Sequence, residues 1–382
     1  MRPDLQKETA LMPTTVTAAV NETVGAPFTF QDVTLEDPRP NELLVRITST
    51  GLCHTDLAVL GGDMPAPFPA ILGHEGAGVV EQVGSGVTGF SVGDRVGLSF
   101  ASCGHCENCL AGREAYCDNF MPLNFGGARE DGSTTFTRTN QETGKAETVH
   151  GSFFGQSSFA TYALVEARNA VKVPEGIDPD LVGPLGCGIQ TGAGAVLNTL
   201  NVGSGDSIVV SGTGAVGLSA IMAAAATGAT TIIAVDIIES RLEEAKRLGA
   251  THTLNSKDVD VVASVLEITG GRGTDFAVDT TGVAPVVEQV IAATSFGGTI
   301  GLLGVAKPTA TIGLAAMSGK RVLNLIEGDA VPQNFIPKLI DLYKAGRFPF
   351  DTLVTTYPFT DIDRAIEDTK TGAAVKAILT MN

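Results

Sequence analysis

Four of the six cysteines in this 382-residue chain fall within one short segment. Cys103, Cys106, Cys109 and Cys117 follow the spacing C-x2-C-x2-C-x7-C, with glycine and polar residues between them. Four thiolates from one loop suit tetrahedral zinc and leave no open coordination position, so this pattern predicts a structural zinc site. A four-cysteine iron–sulfur cluster is the alternative, but the ferredoxin pattern places a proline after its last cysteine, where this chain has Asp118. Zinc binding would stabilise a lobe at about residues 100–120 that has little hydrophobic material of its own.

The length and charge of the chain narrow the class of protein. A length of 382 residues and a hydrophobic content of 43% suggest two domains. The net charge of −17, from 25 Lys+Arg and 42 Asp+Glu, disfavours nucleic acid and anionic membranes as partners. We see no apolar run of about 20 residues and no signal peptide, so we expect a cytoplasmic protein whose thiols stay reduced. Residues 1–11 are expected to carry no chemistry, either as a loose arm or as the product of a start codon upstream of Met12.

The other two cysteines, Cys53 and Cys187, lie in glycine-marked turns, and His74 and Glu75 lie between them in the chain. Each cysteine by itself is more typical of an inert buried thiol. Together with His74 they supply two thiolates and one imidazole, a set that leaves a fourth zinc position open for water or substrate. We therefore predict a second, catalytic zinc, which gives two zinc ions per chain.

With these motifs the sequence resembles the zinc-dependent medium-chain alcohol dehydrogenases, from about residue 14 to the C-terminus. The resemblance rests on G-H-E-x2-G-x5-G-x2-V at residues 73–87, on the four-cysteine lobe, and on the positions of the two remaining cysteines. It implies that Cys53, His74 and Cys187 bind the catalytic zinc. It also implies that Glu75 lies behind the metal and can enter its coordination shell transiently.

The same resemblance implies roles for the residues around Cys53. Asp56 would accept a hydrogen bond from the far ring nitrogen of His74 and fix its tautomer. Thr55 resembles the hydroxyl residue that takes the substrate proton and passes it on through the nicotinamide ribose. Several relatives end this relay at a histidine three positions later, where this chain has Ala58, so the relay must end differently. His54 is expected to contact the cofactor pyrophosphate, to take up the proton, or to do both.

A separate pattern predicts a dinucleotide site. An apolar run at residues 208–210 leads into a GxGxxG turn, an alanine-rich helix pattern and a second strand that ends at Asp236. The first glycine permits a tight turn, the second lets the backbone approach the pyrophosphate, and the third permits close packing of the helix. The helix N-terminus would then face the phosphates. The residues predicted to form this turn are Gly212, Gly214, Ala215, Val216 and Gly217.

Asp236 predicts which nucleotide binds. Its carboxylate would accept hydrogen bonds from the adenine ribose and repel a 2′-phosphate, which favours NAD over NADP. Arg241 is the nearby residue that could weaken this preference. By family resemblance, Thr191 would contact nicotinamide and Lys376 would contact a cofactor phosphate, although a solvent-facing strand charge is the alternative for Lys376.

The predicted fold class is α/β, with a doubly wound parallel-sheet (Rossmann) cofactor domain. The second domain is a GroES-like β-barrel by family resemblance, with a cleft between the two domains. The predicted ranges are 188–325 for the cofactor domain and 1–187 with 326–382 for the catalytic domain. The polar segment 123–152 is expected to be a long loop or an irregular hairpin. Ser240 and Glu243 predict a capping box at the start of a helix in the cofactor domain.

These features predict zinc-dependent, reversible oxidation of a primary alcohol to the aldehyde, with hydride transfer to NAD. The segments GLCHTDL and SFFGQSSFATY and the absence of Trp look most like the bacterial aryl-alcohol branch, which implies aromatic or allylic alcohols. Short aliphatic alcohols, terpene alcohols and S-(hydroxymethyl)glutathione are the alternatives. A non-catalytic zinc- and NAD-binding scaffold is the alternative from another class. The resemblance further implies a homodimer or homotetramer.

Overall fold

The computed structural model describes residues 14–305 and 311–381, and the predicted arm at residues 1–11 lies outside this part of the chain. Within these ranges, two mostly antiparallel sheets come from the two flanks of the chain and one parallel sheet comes from its middle. No helix in the same ranges is both long and apolar enough to cross a bilayer.

The N-terminal flank consists mainly of antiparallel strands. Its strands are β1 Thr14–Asn21, β2 Phe28–Leu35, β3 Glu42–Gly51, β4 Ala70–Ile71, β5 Glu75–Val83, β6 Arg95–Leu98, β7 Phe136–Thr139, β8 Ala146–Val149, β9 Tyr162–Glu166 and β10 Ala170–Lys172. Its helices are α1 His54–Gly61, α2 Glu107–Leu110 and α3 Phe120–Phe125. One sheet has the strand order β4-β1-β2-β7-β8.

Strand β3 lies in the middle of the second sheet, and both of its faces are buried. Leu43, Val45 and Ile47 pack into one hydrophobic cluster, while Leu44 packs into another on the opposite face. This alternation follows from the two-residue period of a strand. β3 pairs antiparallel with both β5 and β9.

The middle of the chain forms the parallel sheet. Its strands are β11 Ser207–Ser211, β12 Thr231–Asp236, β13 His252–Asn255, β14 Thr274–Asp279, β15 Thr294–Leu302 and β16 Arg321–Asn324. The accompanying helices are α4 Gly188–Gly194, α5 Ala215–Thr227, α6 Glu239–Arg247, α7 Val261–Ile268 and α8 Ala284–Ala293. The order β13-β12-β11-β14-β15-β16 is the Rossmann order, which reverses direction between β11 and β14.

Both faces of the parallel sheet are covered. Ile208 and Val210 of β11 pack in one cluster with Leu218 of α5, whereas Val209 packs on the opposite face with Val265 of α7. This arrangement confirms the predicted doubly wound α/β sheet.

The C-terminal segment returns to the first part of the chain. It contains α9 Pro332–Lys344, β17 Val354–Pro358, α10 Ile362–Thr371 and β18 Lys376–Thr380. β18 pairs antiparallel with β3, with Ile378 opposite Gly51, and this register brings Lys376 beside the turn that follows β3. Residues from both flanks therefore share one sheet, while the predicted boundaries at 187 and 325 stay predictions.

The segment 123–152 contains an irregular hairpin, one of the two forms expected from the sequence. Strands β7 and β8 pair antiparallel, with Phe136 opposite Val149. Both of these side chains are fully buried, which anchors an otherwise polar excursion to the core.

The predicted capping box at Ser240 and Glu243 is wrong. Helix α6 begins at Glu239, and its N-cap residue Ile238 makes no side-chain cap. The physical reason is that Asp236, at the end of β12, already fixes the turn into the helix. Its Oδ1 accepts the N–H groups of Ile237 at 2.7 Å and Ile238 at 3.0 Å.

Candidate active site

Three distant segments bring the predicted catalytic metal ligands together. Cys53 is the N-cap residue of α1, His74 directly precedes β5, and Cys187 directly precedes α4. The pairing of β3 with β5 places Gly51 opposite Glu75 and so brings the first two ligands close. The Sγ atoms of Cys53 and Cys187 are 4.0 Å apart. One ligand atom each from Cys53, His74, Glu75 and Cys187 lie within 4.8 Å of one another, and all four residues are buried.

Asp56 fixes the geometry of two of these ligands. Its Oδ1 accepts hydrogen bonds from Nδ1 of His74 at 3.0 Å and from the Gly73 N–H at 3.1 Å. Its Oδ2 accepts the Cys53 N–H at 3.0 Å. Because a carboxylate only accepts, Nδ1 of His74 carries a proton, and Nε2 is the ring nitrogen left for a metal, which binds it in its deprotonated form. Among the described residues, this buried Nε2 has no hydrogen-bond partner.

The pKa values of the three predicted zinc ligands depend on one another. The pKa of Cys53 lies well below its ordinary value, chiefly because the Cys187 thiol donates to it and also because His74 is near. The same hydrogen bond, together with burial, raises the pKa of Cys187. Burial acts to lower the pKa of His74, but Asp56 and Cys53 outweigh it and raise this pKa well above its ordinary value. A divalent cation that binds here replaces the protons that these groups share.

The donor set fits zinc. Two thiolates bound to tetrahedral zinc at about 2.3 Å have sulfurs about 3.8 Å apart, which is close to the 4.0 Å between Cys53 and Cys187. The partnerless Nε2 of His74 supplies the third donor and leaves one position open. Glu75 is the fourth group within reach, but both of its oxygens bind Nζ of Lys376, at 2.9 and 2.8 Å. To bind a metal, Glu75 would have to share one of these oxygens with Lys376 or give up one of the two bonds.

The Lys376 ammonium makes hydrogen bonds behind the predicted ligands. Besides Glu75, its Nζ donates to the Leu52 carbonyl at 3.1 Å, and the residue is 3% exposed. Burial acts to lower the pKa of Lys376, but the Glu75 carboxylate raises it above its ordinary value. The phosphate contact predicted for Lys376 therefore requires the ammonium to leave Glu75. It stays a prediction, and the solvent-facing alternative is wrong because β18 is buried at this position.

The four-cysteine lobe also gathers its sulfurs at one point. The Sγ atoms of Cys103, Cys106, Cys109 and Cys117 lie within 4.8 Å of one another, and none of the four forms a disulfide. Backbone N–H groups donate to these sulfurs, as from Cys106 to Cys103 Sγ at 3.4 Å and from Cys103 to Cys117 Sγ at 3.3 Å. Burial raises the pKa of Cys109 to about 12, so zinc must displace a proton when it binds. Four converging thiols without an open position fit a structural zinc.

The glycine turn fits a dinucleotide pyrophosphate. Gly212 has φ of 85°, and a side chain on Gly217 would place its Cβ 1.8 Å from the Gly212 carbonyl oxygen. A Cβ on Gly214 would meet no atom within 4 Å, so this position faces open space. Gly214 is the N-cap residue of the 13-residue helix α5, which begins with Ala215 and Val216 and has no side-chain cap. The first N–H groups of the helix are thus available to an anion.

Asp236 lies beside the glycine turn and ties it down. Its Oδ2 accepts the N–H of Thr213 at 2.7 Å and the Thr213 hydroxyl at 2.8 Å. Since Oδ1 accepts two further N–H groups, a ribose hydroxyl would have to share or displace one of these bonds. The guanidinium of Arg241 lies against Gly372 at the end of α10. The roles of both residues in nucleotide choice stay predictions.

The predicted proton-transfer residues lie at the start of α1. The Thr55 hydroxyl is 3.8 Å from Sγ of Cys53, and His54 is exposed as the first residue of the helix. Ala58, three positions after Thr55, is buried and has no polar side-chain group. Thr191 lies in α4, and its N–H donates to the Cys187 carbonyl at 2.9 Å. The structure thus places Thr55 and Thr191 beside two different predicted metal ligands, Cys53 and Cys187.

Glu327, which was not predicted from the sequence, lies beside Cys187. Its Oε1 is 3.6 Å from Cys187 Sγ, and its Oε2 accepts a hydrogen bond from Gln190 Nε2 at 3.1 Å. Burial raises the pKa of Glu327 to about 7, although the bond from Gln190 opposes this shift. One signal was present in the sequence: an acid shortly after a strand of a parallel sheet, at the edge where such sheets bind ligands.

An aromatic wall borders His74. The Phe154 ring stacks on the imidazole with centroids 4.5 Å apart, and Phe153 and Phe125 lie edge-on to Phe154, each at 5.0 Å. Gln156, from the same segment, donates through Nε2 to the His74 carbonyl at 2.9 Å. The segment SFFGQSSFATY thus forms an apolar surface next to one metal ligand and fixes its backbone.

Comparisons with known proteins agree with this architecture. Two protein families match the chain: the alcohol dehydrogenase GroES-like domain over residues 39–175 and the zinc-binding dehydrogenase over residues 215–345. Geraniol dehydrogenase of Castellaniella defragrans is 45% identical over 368 residues, which are 95% of this chain and 96% of that protein. The crystal structure of benzyl alcohol dehydrogenase from Acinetobacter calcoaceticus is 44% identical, with a TM-score of 0.92, and the match covers 97% of this chain and 100% of that one. An alcohol dehydrogenase zinc-binding domain protein from Burkholderia ambifaria is 50% identical with the same TM-score and coverage.

A Rossmann-type sheet beside two buried sulfurs and an imidazole defines a metal-dependent dehydrogenase that uses a dinucleotide. The chain belongs to the zinc-dependent medium-chain alcohol dehydrogenase family. This membership confirms the predicted family, the GroES-like and Rossmann-type fold, the enzyme class, and zinc and NAD as cofactors.

Proposed function

We propose that this enzyme oxidises small primary alcohols of the allylic or aromatic type to aldehydes, reversibly, with NAD⁺ as hydride acceptor. The reaction converts RCH2OH and NAD⁺ into RCHO, NADH and a proton. The observation that carries the proposal is the meeting of Cys53, His74 and Cys187 at one buried point beside an aromatic wall.

Cys53, His74 and Cys187 are the residues that would hold the catalytic zinc, which supplies a Lewis acid that polarises the alcohol hydroxyl when it is bound. Asp56 keeps the proton of His74 on Nδ1 and so directs Nε2 towards the ligand site. The Lys376 ammonium pairs with the Glu75 carboxylate behind the ligands. A buried carboxylate therefore lies close to the ligand site, and the pair adds no net charge to it. The burial of all these groups excludes bulk water and strengthens their electrostatic effect.

Thr55 is the residue we assign to accept the substrate proton, because its hydroxyl lies 3.8 Å from a ligand sulfur. His54 adjoins Thr55 and is exposed, so it can take up the proton and release it to water. It can also contact the cofactor pyrophosphate from the same position. The apolar Ala58 cannot serve as the end of the relay.

Two kinds of support favour allylic and aromatic substrates. Geraniol dehydrogenase and benzyl alcohol dehydrogenase, to which the chain is similar, are named for an allylic and an aromatic primary alcohol. Phe154, Phe153 and Phe125 form a buried aromatic cluster on one side of His74, so the surroundings of the site are apolar there. Flat π-systems pack favourably against such rings.

The test is an alcohol panel read by NADH absorbance. We expect kcat/KM for benzyl alcohol and geraniol to exceed that for ethanol and S-(hydroxymethyl)glutathione by at least about tenfold, since each apolar group in a pocket adds about that factor. A preference for ethanol or for the glutathione adduct would reject the substrate class. If no alcohol yields NADH although two zinc ions and NAD⁺ are bound, the scaffold alternative is correct. Cys187→Ser provides the inactive control.

We further infer that the enzyme is cytoplasmic, prefers NAD over NADP, and assembles as a homodimer or homotetramer. The inference of assembly is supported by two large apolar side chains of the cofactor half, Phe296 and Leu314, which are 86% and 82% exposed. Sedimentation velocity tests it, and a single species at the monomer mass of 39.3 kDa would reject it.

A further inference from the structure

Residues 327–329 form a turn in which the backbone is left-handed throughout. The φ angles are 52° at Glu327, 65° at Gly328 and 51° at Asp329. Side chains disfavour this region, and strained segments of this kind persist only where the surrounding structure holds them. We call this segment the 327–329 turn.

Side-chain hydrogen bonds hold the 327–329 turn at its C-terminal end. Oδ1 of Asp329 accepts the hydroxyl proton of Tyr116, and Oδ2 accepts the Thr199 hydroxyl at 2.6 Å. The Gly328 carbonyl accepts a hydrogen bond from Asn198 Nδ2 at 3.0 Å. Asn198 and Thr199 belong to the helical stretch that continues α4, so the turn is fixed on two sides.

Tyr116 belongs to the four-cysteine lobe. It directly precedes the predicted zinc ligand Cys117, and 213 positions separate it from Asp329 in the chain. Its backbone is part of the short helical turn Glu114–Tyr116, between the third and fourth cysteines. Zinc bound by the four cysteines would restrain the backbone that carries this hydroxyl.

The other end of the 327–329 turn reaches the catalytic ligands. Glu327 lies against Cys187 and accepts a hydrogen bond from Gln190, and it is only 7% exposed. Gln190 Nε2 is also within hydrogen-bonding distance of Ser99 Oγ at 2.9 Å and of the Gly186 carbonyl at 2.7 Å. Glu327 thus contacts both the sulfur of a predicted ligand and the helix that carries it.

We propose that the four-cysteine lobe positions Glu327 against Cys187 through the Tyr116–Asp329 hydrogen bond, which makes the lobe part of the active-site scaffold. Tyr116, Asp329 and Glu327 are then positioning residues that act on the reaction through Cys187. The kinetic part of this inference rests on the proposed function, whereas its spectroscopic part does not.

The first test is Tyr116→Phe, which removes one hydroxyl and keeps all four cysteines. We expect two zinc ions per chain, an unchanged Kd for NADH and a fall in kcat of about tenfold, because a hydrogen bond to a carboxylate is lost. With cobalt at the catalytic site, the sulfur-to-cobalt absorption band should shift in this variant. Tyr357→Phe is the matched control, since the Tyr357 hydroxyl likewise donates to an aspartate, Asp368, at 2.8 Å, and this bond joins β17 to α10 outside the four-cysteine lobe. It should leave both the band and kcat unchanged.

The second test is a double-mutant cycle with Glu327→Gln. If the lobe acts through Glu327, the Tyr116→Phe/Glu327→Gln enzyme should be no slower than Glu327→Gln alone. Additive losses of kcat, or a cobalt band in Tyr116→Phe that matches the wild type, would overturn the proposal. If Tyr116→Phe does not fold, Asp329→Asn tests the same hydrogen bond from its other end. An enzyme that oxidises no alcohol refutes the proposed function, but the cobalt band still decides the role of the lobe.

Discussion

Oδ1 of Asp56 lies 3.0 Å from Nδ1 of His74, and the other oxygen of the same carboxylate accepts the N–H of Cys53 at 3.0 Å. One buried carboxylate therefore orients the ring of one predicted metal ligand and the backbone of another. The two ligands approach the site from paired strands, and Asp56 couples their positions.

Asp56→Asn should weaken zinc binding at the catalytic site about 10- to 100-fold, because the charge that orients His74 is lost. Competition with a chelator, followed by elemental analysis, measures this effect. Asp32→Asn is the control, because Asp32 is exposed and, within residues 14–305 and 311–381, its side chain accepts only the Thr17 hydroxyl. Equal zinc retention in the two variants would show that Asp56 has no such role.

Lys376→Met should destabilise the zinc-loaded enzyme by about 3–5 kcal/mol, because it leaves the Glu75 carboxylate buried and unpaired. The additional change Glu75→Gln should recover most of this loss. Denaturant unfolding measures both variants. Arg46→Met, which breaks an exposed pair with Glu81, should cost no more than about 1 kcal/mol. A similar cost for the buried and the exposed pair would contradict the assignment.

Asp236→Asn should reduce the preference for NAD over NADP, measured as the ratio of kcat/KM, by at least about tenfold, because the charge that repels a 2′-phosphate is removed. The amide oxygen can still accept from Thr213, but the NH2 group that replaces the other oxygen cannot accept the N–H groups of Ile237 and Ile238. A thermal melt of the variant therefore accompanies the kinetic measurement. Asp258→Asn, an exposed change in the same half of the chain, should leave the ratio unchanged. An unaltered ratio in Asp236→Asn would remove this residue from nucleotide selection.

Cys109→Ser should lower the zinc content from about two ions to about one per chain and reduce the melting temperature, because the lobe loses a thiolate ligand. The catalytic site should keep its metal. Elemental analysis of the purified protein and a thermal melt provide the two readouts. A variant that still holds two zinc ions would argue against the lobe site.

Asp279 predicts a pH effect on stability. Burial raises its pKa, although bonds from Gly282 and Thr281 oppose the shift. The folded state therefore holds the proton more tightly than the unfolded state, and the stability contribution of Asp279 falls as pH rises from about 4 through the folded-state pKa. The melting temperature of Asp279→Asn minus that of the wild type should thus increase from about pH 4 to pH 7. A difference that stays constant over this range would contradict the shift.

The sequence predicted much of the fold because its signals are local. The GxGxxG turn, with strands before and after it, indicated the parallel sheet, and the cysteine spacing indicated the lobe. The failure at Ser240 and Glu243 is instructive, because the motif was present but Asp236 had already satisfied the N–H groups at the helix entrance. The local capping pattern was thus outweighed by the hydrogen bonds of Asp236, which lies at the end of the preceding strand.

The sequence by itself determined which chemical groups are available. It showed which residues can bind zinc, where a pyrophosphate can approach, and that Ala58 cannot relay a proton. Only the tertiary structure decided how those groups meet. The pairing of Lys376 with Glu75 depends on the register of β18 against β3, and the approach of Glu327 to Cys187 depends on a turn held by Tyr116. Contacts between residues far apart in the chain follow from strand register and helix packing, and no local sequence pattern encodes them.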